Sequence, residues 1–344
     1  MAIVDKPSDY FNTVLYTGNG TARNITTGLT TTDWVWIKRR DGTANHRLTD
    51  VVRGATNMLS SNNTNATQTH AQTVTAFGTN TFSLGTDSGS YDVNTNSQTY
   101  ASWNWSAGGS ASSNTDGSIT STVSANTTAG FSIVSYTGNE TVSTIGHGLG
   151  VTPSMIIVKG RIAARNWIVG HHTQGWTKSA MLDETNAFSS QTHWNNTAPT
   201  SSVFTIEGGS NSNVNTNNAG YIAYCFAEKT GYSKFGSYVG NGSSDGTFCF
   251  TGFKPAFVML KRSSNTSDWY MFDNKREGYN VDNDEIYANL SNVEDTADRL
   301  DILSNGFKMR TTGGNLNGSG ETFIYMAFAE APLVGTNGVT AKAR

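Results

Sequence analysis

Hydrophobic residues along this chain come in short runs of β-branched and aromatic side chains, such as Phe131-Ser132-Ile133-Val134-Ser135-Tyr136 and Val203-Phe204-Thr205-Ile206, each bounded by Gly, Asn and Ser. Runs of that length and make-up, closed by turn residues, predict β-strands. No segment keeps apolar residues at helical spacing for three turns, so helices are not expected. Alternation within the runs is imperfect: Val134 and Tyr136 fall on one side of Phe131–Tyr136, and Phe131 and Ile133 on the other. The pattern therefore leaves the two faces of that strand unassigned.

The runs recur in register. Tyr16-Thr17-Gly18-Asn19-Gly20 returns as Tyr136-Thr137-Gly138-Asn139-Glu140 and as Tyr238-Val239-Gly240-Asn241-Gly242. An apolar strand ending in lysine follows each time, reaching Lys38, Lys159 and Lys261 at 22, 23 and 23 residues from the first tyrosine. An aromatic strand closes each copy, starting at Tyr100, Tyr221 and Phe323, which lie 84, 85 and 85 residues from the same origin. A period this long is about one β-sandwich of chain, well beyond the roughly 20 to 50 residues of a solenoid unit. The expected fold class is all-β, with three tandem, internally repeated antiparallel β-sandwich domains. The expected boundaries are 1–106 for the first, 131–230 for the second and 231–334 for the third, with residues 335–344 as a C-terminal tail.

Residues 107–130 lengthen the first period and consist almost wholly of Ser, Thr, Gly, Asn and Ala, which predicts a flexible linker with room for an exposed edge strand over Ser118–Ser124. The Asn19-Gly20 and Asn241-Gly242 pairs predict hairpin turns with both glycines at positive φ, and Glu140 at the same place predicts a different turn or a longer loop. Pro153 and Pro255 stand at one offset before the lysine-ended strands, where a missing N–H does no harm.

Composition sharpens this picture in three ways. Gly is 36 of 344 residues and charged residues are only 14%, a mixture suited to strands and turns. A net charge of −3, with no basic run longer than Lys38-Arg39-Arg40, gives no footprint for nucleic acid. No apolar stretch approaches a membrane span, and residues 1–10 lack the features of a signal peptide, so neither membrane insertion nor export by the usual route is expected. Cys225 and Cys249 fall in expected strands of different repeats and read as free, buried thiols.

Candidates for chemistry are sparse. His171, His172 and His193 lack the spacing and the cysteine partners of a zinc site, so no metal is expected there. Asp282, Asp284 and Glu285 lack calcium-loop spacing and read as a solvated loop. No Gly-x-Ser-x-Gly elbow places a serine on a strand-to-helix turn, and no catalytic residue, cofactor or metal is expected. Trp167 and Trp269 share one offset past their lysines, where the first repeat has His46, which assigns them to packing. Trp176 and Trp194 have no counterparts in the other repeats and are the aromatic residues best placed to contact a ligand.

The phrases FSIVSYTGNETVSTIGHGLGVTPSMIIVKGR, GYSKFGSYVGNG, FKPAFVMLKR, FDNKREGYNV, LSNGFKMR and FIYMAFAEAP resemble marine tailed-phage (cyanophage-like) virion proteins, described as tail-fibre-like or structural. The resemblance runs from Ser8 to Arg344. It implies a non-enzymatic virion protein assembled in the host cytoplasm and exposed on the particle surface. The leading expectation is a short tail fibre or receptor-binding component that recognises host-surface glycans, with other virion proteins as partners and a homo-oligomer such as a trimer. The alternative is a capsid or tail decoration protein that stabilises the particle.

Overall fold

The computed structural model describes residues 3–87, 89–209, 212–276 and 284–333, so the expected tail at 335–344 lies outside the described residues. The chain is almost entirely β. The first repeat supplies β1 (Phe11–Thr17), β2 (Arg23–Thr26), β3 (Trp34–Arg39), β4 (Arg47–Asp50), β5 (Asn57–Met58), β6 (Gln68–Thr69), β7 (Val74–Gly78), β8 (Thr81–Leu84) and β9 (Thr99–Trp105). Then come β10 (Ser112–Asn114), β11 (Ser121–Asn126), β12 (Phe131–Thr137), β13 (Ser143–Gly146), β14 (Met155–Gly160), β15 (Trp167–His171), β16 (Lys178–Met181), β17 (Ser189–Ser190), β18 (Val203–Ile206) and β19 (Gly220–Phe226). The third repeat holds β20 (Ser233–Val239), β21 (Phe248–Phe250), β22 (Phe253–Arg262), β23 (Trp269–Asp273), β24 (Ile286–Tyr287), β25 (Leu300–Leu303), β26 (Gly306–Met309) and β27 (Thr322–Pro332).

Each repeat builds one larger and one smaller antiparallel sheet, and the first adds the two-stranded β5-β6. The larger sheets run β1-β9-β3-β4, β10-β11-β12-β19-β14-β15-β16-β17 and β20-β27-β22-β23-β24, and the smaller ones β2-β8-β7, β13-β18 and β21-β26-β25. The order first strand, last strand, lysine-ended strand, following strand is thus the same three times. Stacked aromatic pairs mark the second rung from the glycine turn in every copy: Tyr16 on Tyr100 at 5.1 Å, Tyr136 on Tyr221 at 5.1 Å and Tyr238 on Phe323 at 4.8 Å. Between the two sheets of each repeat lies its own apolar cluster, for example Ile25, Val35, Ile37, Phe82, Leu84 and Tyr100 in the first.

The larger sheets are buried on their other face as well, and that face is shared. One cluster joins Phe11, Trp34, Trp36, Trp103 and Trp105 to Phe131, Ile157, Trp167, Tyr224 and Phe226, and both to Phe235, Phe257, Met259, Trp269 and Phe328. Trp34 stacks on Tyr224 at 4.3 Å, and Phe11 on Phe328 at 5.2 Å. The repeats are therefore not independent sandwiches strung along a chain. Their inner faces form a common core, which explains the imperfect alternation of Phe131–Tyr136: side chains on both faces of that strand are buried.

The contacts between repeats also run in a cycle. Trp167 Nε1 donates to Ser60 O of the first repeat and Trp269 Nε1 to Met181 O of the second, both at 2.9 Å, while His46, at the same offset, places Nε2 3.0 Å from Tyr287 O of the third. The third repeat thereby closes on the first. Arg40 grips Glu294 through Nε and Nη2, the N–H of Ala44 donates to Ser291 O, and Ser61 donates to Ala288 O. Buried Asp50 pairs with Arg53 and accepts from the Tyr224 hydroxyl of the second repeat; buried Asp273 pairs with Arg276 and accepts from Trp103 Nε1 of the first.

Residues 107–130 are not a linker. β11 pairs with β12 and β10 with β11, extending the second repeat's larger sheet, so the strand expected near Ser118–Ser124 falls at Ser121–Asn126 as an interior strand, and β10 forms the edge. Ser121 donates to Gly146 O and Ser124 to Ala107 O, both at 2.8 Å, so small hydroxyl residues dock this segment where large apolar ones are missing. The glycine turns also differ from expectation. They cross between the two sheets and are not hairpins, since β1 pairs with β9 and β2 with β8. Gly20 and Gly242 have φ of 68° and 67°, and Glu140 keeps the same conformation at 61° with no change of turn. Three buried asparagines hold these turns: Asn94, Asn215 and Asn317 accept through Oδ1 from the N–H of Asn19, Asn139 and Asn241. Pro255 lies inside β22 at a break in its register.

Candidate functional site

The three strand-ending lysines are buried, and two of them, Lys159 and Lys261, secure seams between repeats. Lys159 Nζ donates to Thr64 O and Lys261 Nζ to Thr185 O, each 2.7 Å away in the preceding repeat, while Lys38 Nζ donates to Arg39 O. Burial lowers Lys38 and Lys159 to about 8 and Lys261 to about 7. Trp167, Trp269 and His46 are buried at the same seams, in keeping with a packing role.

The histidines do not converge. His171 Nε2 lies 3.3 Å from Tyr325 O and His172 Nε2 lies 2.8 Å from Phe235 O, both at the third repeat, whereas His193 sits beside Ser179 and Glu207. Burial, with a further push from His172, takes His171 down to about 3. Among the described residues no group of three or more His, Cys, Asp or Glu side chains is arranged to hold a metal. Asp282 lies outside the described residues. Asp284 and Glu285 are buried where a solvated loop was expected: Asp284 lies 3.8 Å from Arg40 and Glu285 3.4 Å from Arg299, and burial raises Glu285 to about 7.

Trp176 and Trp194 are core residues and offer no face to a ligand. Their rings meet edge to face at 5.4 Å over Gly170, where a Cβ would come within 2.5 Å of Trp176. Cys225 and Cys249 are free and buried, and burial pushes the Cys249 thiol up to about 12.

The concave site nearest to chemistry lies in the second repeat, at the outer end of its larger sheet. β16 and β17 pair over only two rungs, Lys178 with Ser190 and Ser179 with Ser189. The intervening segment is drawn to the third repeat, where Phe188 N–H donates to Ser263 O and Ser267 N–H to Thr185 O. A cleft of about 300 Å³ opens there, lined by Ser179, Ala180, Met181, Asn186, Ala187, Ser189 and Gln191. None of these side chains carries a charge. Hydroxyl and amide groups stand beside short apolar ones, a lining that suits a neutral, hydroxyl-rich ligand.

Behind the cleft, Ser179 Oγ lies 2.8 Å from His193 Nδ1, and His193 Nε2 lies 3.9 Å from Glu207 Oε1. Burial lowers the His193 pKa against the opposing pull of Glu207, which favours the neutral ring. Serine, neutral histidine and carboxylate in that order can polarise a hydroxyl. Here Ser179 is only 2% exposed, and Glu207 also accepts from Ser212 and Thr192. The trio joins β16 to the loop after β17 and to the end of β18, and so fixes the cleft's floor. It lies outside the motifs that sequence spacing exposes, because its members are 14 residues apart in both steps and belong to one repeat only.

A family profile for a domain of unknown function, DUF7483, matches residues 6–332 in one continuous span. The chain belongs to the DUF7483 family. That one profile crosses all three repeats and stops at the end of β27, in keeping with a DUF7483 body whose repeats share a core. No curated protein and no solved structure matches this DUF7483 chain.

Proposed function

We propose that this DUF7483 protein is a non-enzymatic bacteriophage virion component exposed on the particle, acting as a short tail fibre or receptor-binding part that recognises host-surface glycans. The observation that carries the glycan reading is the uncharged, hydrogen-bonding cleft lined by Ser179, Asn186, Ser189 and Gln191. The virion reading rests on the resemblance of the phrases set out above. Binding is tested by titrating the purified protein with host-surface glycans and with the N186A/Q191A variant. Saturable binding that the variant weakens supports the reading; a wild-type protein that binds no host glycan removes it.

A second reading, a decoration protein on the capsid or tail, is favoured by the cyclic order of contacts among three similar repeats, which suits a seat on a local threefold axis. Cryo-EM of the intact particle separates the two. A fibre component gives a few copies at the tail, and a decoration protein gives many copies on the shell.

A further inference from the structure

The smaller sheets of the three repeats are equivalent, yet their outer strands are finished differently. Ile25 faces Phe82 in the first repeat, Ile145 faces Phe204 in the second and Cys249 faces Phe307 in the third, so β2, β13 and β21 occupy the same place. On either side of that inward residue the first repeat has Asn24 and Thr26, and the second has Thr144 and Gly146. The third has Phe248 and Phe250, which are 43% and 56% exposed.

In the second repeat this edge is already occupied by another stretch of chain. Ile119 bridges Ile145, and its N–H donates to Thr144 O at 3.1 Å. The main-chain position equivalent to Phe248 therefore points out of the sheet and can accept an added strand. Among the described residues β21 pairs only with β26, so its outer edge carries no strand. An open edge with apolar side chains is a template for strand addition.

The sequence of the edge indicates what fits it. Thr247-Phe248-Cys249-Phe250-Thr251 reads the same in both directions. Two such strands, antiparallel and centred on Cys249, bring Phe248 of one opposite Phe250 of the other, twice, and Thr247 opposite Thr251. Each Phe pair would exchange both N–H···O=C bonds, because these are the residues whose main chain faces outward, and the rings would meet on the solvent face of the joined sheet. A self-complementary patch related by a twofold axis is the requirement for a closed dimer.

We infer that β21 is a homodimerisation edge, joining two copies of this chain through antiparallel β21–β21 pairing centred on Cys249. The seam is short, so association is weak and depends on concentration. The occupant is a second copy of the chain; an edge reserved instead for residues 334–344 or for a foreign strand would leave the wild type monomeric in the experiment below.

The test is sedimentation equilibrium of the full chain up to about 0.5 mM, a range suited to a small interface. The wild type should show a monomer–dimer equilibrium. F248N/F250T, which installs the residues that the first repeat carries on the equivalent strand, should raise the dissociation constant on the order of tenfold or more, because each lost contact is made twice. F248K/F250K should abolish the dimer. F248K/F250E places opposite charges across the seam in the antiparallel register and should recover association relative to F248K/F250K. Thermal melts at low concentration confirm that each variant is folded. A wild type that stays monomeric throughout overturns the inference, as does a dimer indifferent to these changes. Equal loss in F248K/F250K and F248K/F250E also overturns it, since the antiparallel pairing requires them to differ.

Discussion

Trp34→Ala tests whether the shared core makes the three repeats one cooperative unit. Trp34 is fully buried on β3, packs on Trp105 at 4.4 Å within its own repeat and stacks on Tyr224 at 4.3 Å in the next, with Phe131 at 5.5 Å. Replacing a core Trp with Ala costs about 3–5 kcal/mol through lost transfer energy and the cavity left behind. How far that moves the melting temperature depends on what melts together. Unfolding entropy is about 2.1 cal/mol/K per residue, so a single unit of about 330 residues has ~0.7 kcal/mol/K, and a loss of ~4 kcal/mol lowers its Tm by about 6 °C. An independent first domain of about 100 residues would have ~0.2 kcal/mol/K, and its Tm would fall by about 20 °C. Differential scanning calorimetry should show one endotherm that moves as a whole by the smaller amount. Two endotherms, one displaced strongly and the other stationary, would refute the shared-core reasoning and restore three separable domains.

Other outcomes follow from the seams, the turns and the buried ionisable groups. Limited proteolysis of native protein should spare residues 107–130, because β11 is held by β12 and by buried Ser121 and Ser124; early cleavage there would contradict this. At φ 61°, Glu140 is strained, so Glu140→Gly should leave urea stability unchanged or raise it by up to ~1 kcal/mol, and Glu140→Val should lower it by roughly 1–3 kcal/mol, as should Gly20→Val and Gly242→Val; no loss in the Val variants would count against the turn assignment. Lys38, Lys159 and Lys261 titrate at about 8, 8 and 7 in the folded chain against 10.5 unfolded, so the unfolded state binds more protons and the urea midpoint should rise from pH 7 to pH 9. Lys261→Met should flatten that rise. Above pH 9 to 10 the raised thiols and tyrosines, Cys249 and Tyr224 among them, reverse the slope, because the folded state then holds the extra protons. The protein should leave host polysaccharide intact over long incubation; release of reducing ends that disappears in S179A or H193A would turn the Ser179–His193–Glu207 trio into a catalytic site.

Much of the fold was legible in the chain, because a repeated strand order leaves repeated landmarks: the tyrosine turn, the lysine-ended strand and the aromatic strand all reappear at matching places in the sheets. The common core was harder to see. Runs such as Trp34–Ile37, Met155–Val158 and Phe257–Leu260 are apolar without alternation, which marks strands covered on both faces, but sequence spacing does not say that the second cover is a neighbouring repeat. Residues 107–130 misled because composition reports side chains, while a strand such as β11 can be held by backbone pairing on both sides and a few buried hydroxyls. Glu140 misled because its neighbours, including Asn215, impose a left-handed conformation that its side chain would not choose. Asn94, Asn215 and Asn317 keep the repeat register and could have been found from it. The cleft could not, since its lining has no counterpart in the other repeats and its shape depends on how residues 182–188 reach the third repeat.

The salt bridge from Arg40 to Glu294 spans 254 residues of sequence, and it sets an order of events during synthesis. A ribosome adding about 5–20 residues per second takes roughly 13–50 s to go from one partner to the other. For most of that interval the first repeat's tryptophan-rich inner face is uncovered, waiting first for the second repeat and last for the third, whose β27 brings Phe328 onto Phe11 and Trp105. The final turn of the cycle can close only when the chain is almost complete. Truncated or stalled products therefore present Trp34, Trp36, Trp103 and Trp105 to solvent, which makes them ready-made substrates for chaperones and proteases.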